Sequence, residues 1–211
     1  AKNNTPEIKW LFVGFYIQIV MRLKDCHSFT DFRELARRRL PSPIFNYIDG
    51  AADDESTYDR NTKSFEDCDL VPNVLRGVQD IDMSVEILGQ RLDMPIYCSP
   101  TALQRVFHHQ GENAVAAAAD KYGTLFGVSS LGTVSLADVR KRYPGPQCYQ
   151  FYFHKDRELN KVMLENAKNA NVDIMMLTVD TITGGNRERD LKTGFSIPVS
   201  YTHLTLPTIC S

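Results

Sequence analysis

A parallel α/β barrel of the TIM, (β/α)8, type, carried through about its first four β/α units, is what this sequence predicts. Three observations point there. Four apolar stretches, MPIYCSPTA (94–102), TLFGVSS (124–130), QCYQFYF (147–153) and DIMMLTVDT (173–181), each carry polar residues at or near their C-terminal ends. They recur at a spacing of roughly 25 residues, with helix-like segments between them. The last is a near-continuous apolar run, the pattern of a strand buried on both faces. In such a barrel the site gathers at the C-terminal ends of the strands. Thr101, Ser129, Gln150, Tyr152 and Thr178 stand at or near those ends. A barrel of this kind needs eight strands, so the reading expects four more than are legible here.

The elements follow in order. Residues 1–20 hold an apolar run from Trp10 to Val20, shorter than the roughly 20 residues that span a bilayer. They lack a basic n-region and a clear cleavage site. We read them as a non-native leader translated from upstream, with Met21 as initiator; a genuine anchor or leader is the alternative. Residues 21–93 are then a set of N-terminal helices and a cover for the barrel bottom. SFTDFRELARRRLP (28–41) reads as a helix capped by Ser28 with Asp31, with Phe29, Phe32, Leu35, Ala36 and Leu40 as its apolar stripe. IFNYIDGAADDE (44–55) reads as a second helix. Residues 56–92 read as irregular, with Pro72 and Gly89 as breakers and a small hairpin in MSVEILGQRLD (83–93).

The partial barrel occupies 94–198. Strands are expected at 94–99, 124–129, 147–153 and 173–179. Helices are expected at 111–122, ended by Gly123; from Ser135, capped with Asp138, to before Pro144; and over 156–170. Residues 199–211 continue neither periodicity and read as a non-native tail joined near Pro198–Ser200.

Composition narrows the function classes. The 211 residues are 43% hydrophobic and 24% charged, with net charge −2, which suits a globular protein. No basic field suggests a nucleic-acid partner. Five cysteines show neither a C-x-x-C pair nor zinc spacing, so the thiols read as reduced and structural, with Cys98 and Cys148 as apolar strand fillers. No metal site is expected.

Six segments in order carry a family resemblance: YIDGAADDE (47–55), MPIYCSPTALQ (94–104), GVSSLGT (127–133), YQFYFHKDRE (149–158), LTVDT (177–181) and GGNRERDLKTGF (184–195). Together, from about Phe29 to Pro198, they resemble the FMN-dependent 2-hydroxy-acid dehydrogenases, which include glycolate oxidase, L-mandelate dehydrogenase and the flavin type of L-lactate dehydrogenase. The resemblance implies FMN as cofactor and a small 2-hydroxy carboxylate as substrate. It places Pro100, Thr101 and Ala102 against the isoalloxazine ring, and Ser129, Gln150 and Thr178 as hydrogen-bonding partners of that ring. It assigns Arg187 to the substrate carboxylate, where a planar fork fits, and Tyr47 and Tyr152 to the substrate. Plainer readings stand beside these. Serine and threonine at strand ends also cap helices, Tyr47 could pack by its ring, and Arg187 could be a surface residue of an NRERD cluster. Arg189 is its rival two residues on, although ungapped counting from Thr178 favours Arg187.

Leu131 stands where glycolate oxidase carries tryptophan, and Ala102 where the mandelate enzyme has glycine. Both lean the substrate towards L-lactate, with pyruvate as product. The family's histidine base, a second carboxylate-binding arginine and a flavin-facing lysine lie beyond the fourth strand. None of His27, His108, His109, His154 and His203 sits in a matching motif. The chain as given is therefore expected not to turn over, and half a barrel is expected to dissolve poorly or to pair through its open edges. Other FMN barrels, or a non-catalytic product, are the competing classes. Electrons would leave to oxygen, a quinone or a cytochrome. A homo-oligomer is expected at full length, in the cytoplasm, though the family also has membrane-peripheral forms.

Overall fold

The structure, a computed structural model, describes residues 22–180 and 184–196. The readings of 1–20 as a leader, Met21 as initiator and 199–211 as a tail lie outside the described residues. The chain divides after Leu40 into two compact units.

In the first unit a single 3-10 turn, Leu23–Asp25, precedes helix α1, Phe29–Arg39. Its N-terminus is the expected capping box. The Ser28 hydroxyl accepts from the Asp31 amide at 3.2 Å, and the Asp31 carboxylate accepts from the Ser28 amide at 2.8 Å. Of the apolar stripe only Leu35 is buried, while Phe29 and Phe32 are exposed.

The second unit opens with α2, Ser42–Asp49, started by Pro41 and Pro43 and stopped at Gly50. The expected helix over 44–55 is thus cut short. A Cβ at Gly50 would stand 2.6 Å from the Asn46 carbonyl. The turn that follows holds Asp53 and Glu55 at positive φ. Helix α3, Ser56–Lys63, then occupies a stretch read as irregular. Residues 66–84 are without regular structure and expose Val71, Leu75, Val78 and Ile81.

The hairpin forms as β1, Val85–Ile87, and β2, Gln90–Leu92. Its two turn residues, Leu88 (φ 48°) and Gly89 (φ 77°), both adopt the left-handed conformation of a type I′ turn. Leu92 is fully buried and packs with Leu125 and Cys148, joined by Val85, Ile174 and Met176. That contact sets the hairpin at the N-terminal ends of the sheet.

The strand expected at 94–99 makes a single parallel bridge, Cys98 to Phe126, instead of a ladder. Cys98 donates to the Leu125 carbonyl at 2.9 Å and accepts from the Gly127 amide at 2.8 Å. Pro95 and Pro100, which lack N–H groups, bracket this contact and keep it short. A short turn of helix, α4, Gln104–Phe107, and then α5, Glu112–Lys121, follow. Gly123 ends α5 at φ 59°, and its missing Cβ makes room for the Asp93 carboxylate.

The sheet proper is β3, Phe126–Ser129, β4, Gln147–Tyr152, and β5, Ile174–Thr178, all parallel and in the order β3-β4-β5. Helices α6, Leu136–Arg142, and α7, Arg157–Asn169, make the connections. Ser135 and Asp156 cap them by accepting from backbone amides of the first turn. Helix α8, Glu188–Thr193, follows β5 and ends at Gly194 with φ 70°. This is the expected alternation of strand and helix around a parallel sheet. Among the described residues the sheet does not close.

The core lies between the sheet and its helices. Ala116 and Ala119 of α5, Phe126 and Val128 of β3, and Val134 and Val139 form one cluster. Tyr149 and Phe151 of β4 with Ala167 of α7 form another. One expectation is corrected here. β5 is not buried on both faces, because Met175 and Leu177 are exposed while Ile174, Met176 and Thr178 are half-buried. It borders only β4 among the described strands, and no described element covers its outer face. Among the described residues no helix is long and apolar enough to cross a membrane.

Arg140 ties two turns at the N-terminal end of the sheet. Its guanidinium donates to the carbonyls of Pro144, Gly145, Ala170 and Asn171 and to the Asp173 carboxylate, the last at 2.6 Å. The same Asp173 oxygen accepts from the Gln147 amide at 2.8 Å, at the first residue of β4. Replacing Arg140 by alanine strips partners from five acceptors at once. We expect a loss of about 2–4 kcal/mol in urea unfolding. Arg140→Lys should recover less than half, because one ammonium cannot span both turns.

Candidate active site

Parallel register brings polar strand ends into a row. Ser129 of β3 lies opposite Gln150 of β4, and Tyr152 lies opposite Thr178 of β5. Gln150 is buried and its amide joins the row. Its Nε2 donates to the Thr178 hydroxyl at 2.8 Å, and its Oε1 accepts from the Ser129 hydroxyl at 3.3 Å. The same oxygen accepts longer contacts, at 3.4 Å each, from the Ser130 amide and hydroxyl. Ser129, Gln150 and Thr178 are therefore one connected neutral network.

The Pro100–Thr101–Ala102 turn is held beside that network. A Cβ at Gly127 would come within 2.7 Å of the Pro100 ring, so only glycine lets the turn lie this close to β3. The Leu103 amide donates to the Leu131 carbonyl at 3.1 Å, and the Leu131 amide donates to the Ser129 hydroxyl at 3.2 Å. Gln104 donates to the Thr101 hydroxyl at 2.7 Å. The loop after β3 is fastened further on by Glu112, which is wholly buried. Its two oxygens accept from the Thr133 amide at 2.7 Å and the Thr133 hydroxyl at 2.6 Å.

Tyr47 and Arg187 form a second group. The Arg187 guanidinium lies 5.1 Å from the centre of the Tyr47 ring, a cation–π arrangement. It also donates to the Tyr47 carbonyl and, at 2.6 Å, to Asp190. Two of its five N–H donors are engaged in this way. The Tyr47 ring stacks on Phe195 with centroids 4.3 Å apart. Burial pushes the Tyr47 phenol up from its ordinary pKa; Arg187 opposes this, while Asp190 and Tyr152 reinforce it. Tyr47 therefore stays a neutral hydrogen-bond donor across the physiological range. Tyr152 is half-buried at the end of β4.

One cavity of about 450 Å³, within the size range of small-molecule sites, brings the Thr101–Ala102 turn together with Tyr47 and Arg187. Thr101, Ala102, Phe107, His108, Tyr47 and Arg187 are among its walls. Pro100, Ser129, Gln150, Tyr152 and Thr178 do not line it. Nor does His154, which is buried after β4 with its backbone N–H and carbonyl both bonded to the Asn160 side chain at 2.8 Å. Burial lowers the His154 pKa, against the pull of Asp156. Among the described residues no group of three potential metal ligands occurs.

Arg189 is not interchangeable with Arg187. It is ion-paired with Asp49, at 2.8 Å, and with Glu55. These partners, the reciprocal contacts of Asp53 with Asn186, and Glu112 were not singled out by sequence. The visible signal was the acid-rich IDGAADDE facing an RERD, but nothing local says that the two segments meet.

The chemistry of the row suits the edge of a flavin ring. The Gln150 amide and the hydroxyls of Ser129, Ser130 and Thr178 each can donate and accept, and the ring edge alternates N–H, N and C=O groups. The glycine-permitted turn of Pro100–Ala102 supplies a surface against which a flat ring can lie.

The profile of the FMN-dependent dehydrogenase family matches residues 36–210. A glycolate oxidase of Zea mays is 36% identical over 83% of this chain and 47% of its own length. An L-lactate dehydrogenase of Vibrio parahaemolyticus is 38% identical over 80% of this chain and 45% of its own. The chain thus spans about half the length of the curated relatives it matches. A Pediococcus acidilactici structure described as a lactate oxidase superposes with a TM-score of 0.77 at 33% identity, covering 83% of this chain and 49% of that one. A mandelate oxidase structure gives 0.75 at 31% identity, covering 80% and 49%. Sequence and fold agree: this chain belongs to the FMN-dependent dehydrogenases, a family of FMN-dependent 2-hydroxy-acid oxidoreductases built on the TIM barrel.

Proposed function

We propose that this chain supplies the ring cradle and the carboxylate side of a site that oxidises an L-2-hydroxy acid to the 2-oxo acid, with L-lactate to pyruvate as the reaction. The observation that carries the reading is the single cavity shared by Thr101, Ala102, Tyr47 and Arg187, next to the Ser129–Gln150–Thr178 network. Pro100, Thr101 and Ala102 would support the FMN ring, and Ser129, Gln150 and Thr178 would hydrogen-bond its edge. When bound, FMN takes up the two electrons that leave the substrate C–H bond.

The chain's own residues would bind and orient the substrate. Arg187 has three N–H donors beyond those given to Asp190 and Tyr47, enough for a bidentate grip on a carboxylate. The Tyr47 phenol, kept protonated, and Tyr152 would donate to the substrate. Phe107 and Phe195, stacked about Tyr47, exclude water around the ion pair and strengthen it. The substrate hydroxyl proton needs a base within hydrogen-bond reach. His108 lines the cavity, but it stands in no motif matching the family's base. We therefore expect the 211 residues alone to bind without turnover, with the base, a second arginine and a lysine contributed by further chain.

Leu131 supports the lactate preference by size: its backbone is held at both ends, and a tryptophan there would take more room than leucine. Glycolate is the runner-up, favoured by the names of several relatives. Exposed Val71, Leu75, Val78 and Ile81 support association of copies. The electron acceptor is proposed only by class: oxygen, a quinone or a cytochrome.

The test is the absorbance of purified protein, carried to the full length of its relatives, before and after anaerobic L-lactate. Yellow protein that bleaches supports both cofactor and substrate. Yellow protein bleached by glycolate but not L-lactate transfers the preference to the runner-up. Folded but colourless protein ends the reading of the strand-end network as a flavin cradle.

Two substitutions probe the substrate side. Arg187→Lys should raise KM by about tenfold through loss of the fork; steady-state kinetics with unchanged KM would refute the carboxylate assignment. Leu131→Trp should lower kcat/KM for L-lactate relative to glycolate, and an unaltered ratio would remove the size argument.

A further inference from the structure

We propose that Arg189 is a positioning residue whose ion pairs with Asp49 and Glu55 clasp the segment bearing Tyr47 to the segment bearing Arg187, and so set the gap that receives the substrate carboxylate. The inference rests on the substrate roles proposed above for Tyr47 and Arg187.

The clasp has two rows. In the first, Arg189 Nη1 donates to Asp49 at 2.8 Å and Nη2 donates to Glu55, across sequence separations of 140 and 134 residues. The other Glu55 oxygen accepts from the Ala51 amide at 3.0 Å, so the carboxylate also shapes its own turn. In the second row the Asp53 amide donates to the Asn186 carbonyl at 2.8 Å, and Asn186 Nδ2 donates to the Asp53 carboxylate at 3.1 Å. Tyr47 lies two residues before Asp49. Arg187 lies between Asn186 and Arg189. Each proposed substrate residue is therefore flanked by the clasp.

Local packing shows that the geometry is tight. A Cβ at Gly50 would meet Arg189 Cδ at 3.1 Å as well as the Asn46 carbonyl. Asp53 and Glu55 hold positive φ, an uncommon conformation for residues other than glycine. Asp49 and Glu55 have mostly buried side chains, so without a cation between them two carboxylates would repel in a poorly screened place. A guanidinium can serve both with separate N–H groups, whereas an ammonium offers one point charge. Arg189 does not line the cavity and so acts through its neighbours. The Arg187 bond to the Tyr47 carbonyl exists only while the two segments are held together.

The experiment uses the FMN-loaded holoenzyme at full length, with Arg189→Lys and Arg189→Gln compared to the parent. Three readouts are taken: flavin content, the KM and kcat for the reducing 2-hydroxy acid, and hydrogen exchange at the Ala51 and Asp53 amides. The expected result is KM rising in the order parent, Lys, Gln, reaching about tenfold and exceeding any fall in kcat, with flavin content preserved. Exchange at both amides should quicken in the same order. Should Arg189→Gln not fold, Arg189→Lys and Asp49→Asn carry the comparison as milder changes. A lowered Tm with unchanged KM would overturn the inference and leave a merely structural ion pair. A parent protein reduced by no L-2-hydroxy acid would overturn the functional reading and the substrate part of this inference together, which distinguishes the two failures.

Discussion

The Gln150 amide is the interaction on which the C-terminal end of the sheet depends. Three adjacent parallel strands end at similar heights, and each would leave polar side chains next to an apolar core. Gln150 resolves this by donating to Thr178 on one side and accepting from Ser129 and Ser130 on the other. A buried amide bonded at both its nitrogen and its oxygen costs little, whereas an unpaired one is expensive. The network therefore holds the strand register and the loop after β3 at once. Leu131 and the Pro100–Leu103 turn inherit their positions from that loop through the Leu103–Leu131 and Leu131–Ser129 bonds.

The Tyr47–Arg187 side of the cavity is built on a different principle. There the contacts are ionic and join segments far apart in sequence: Arg187 with Asp190 and the Tyr47 carbonyl, and Arg189 with Asp49 and Glu55. Partial burial raises the value of each pairing and the cost of breaking it. The neutral network suits a ring whose edge both donates and accepts, and the charged side suits an anion. The cavity is lined by Tyr47 and Arg187 and by Thr101 and Ala102 of the turn next to the network.

Much of this was legible in the sequence because it depends on local patterns. Polar residues closing apolar runs located Ser129, Gln150 and Thr178, since a parallel strand delivers its last side chains to one end of the sheet. Ser28 with Asp31 and Ser135 with Asp138 marked two helix starts through capping chemistry that acts over three residues. Three of the misread features have a clear physical reason. The helix over 44–55 breaks at Gly50, where a neighbouring carbonyl leaves no room for a side chain. The 94–99 strand bridges only once because two prolines bracket it. β5 reads as buried on both faces from its composition, yet exposure depends on which elements lie outside it, and composition does not contain that information.

The Arg189 clasp shows where reading along a chain stops. Arg187 and Arg189 are two positions apart, carry the same group and look equivalent in an RERD string. Their environments separate them: one guanidinium lies over an aromatic ring and lines the cavity, and the other lies between two carboxylates and does not. That distinction arises only when residues 49–55 arrive from more than a hundred positions away. Asp49 and Glu55 compensate the charge of Arg189 away from the cavity, whereas Arg187, paired with Asp190, lines it.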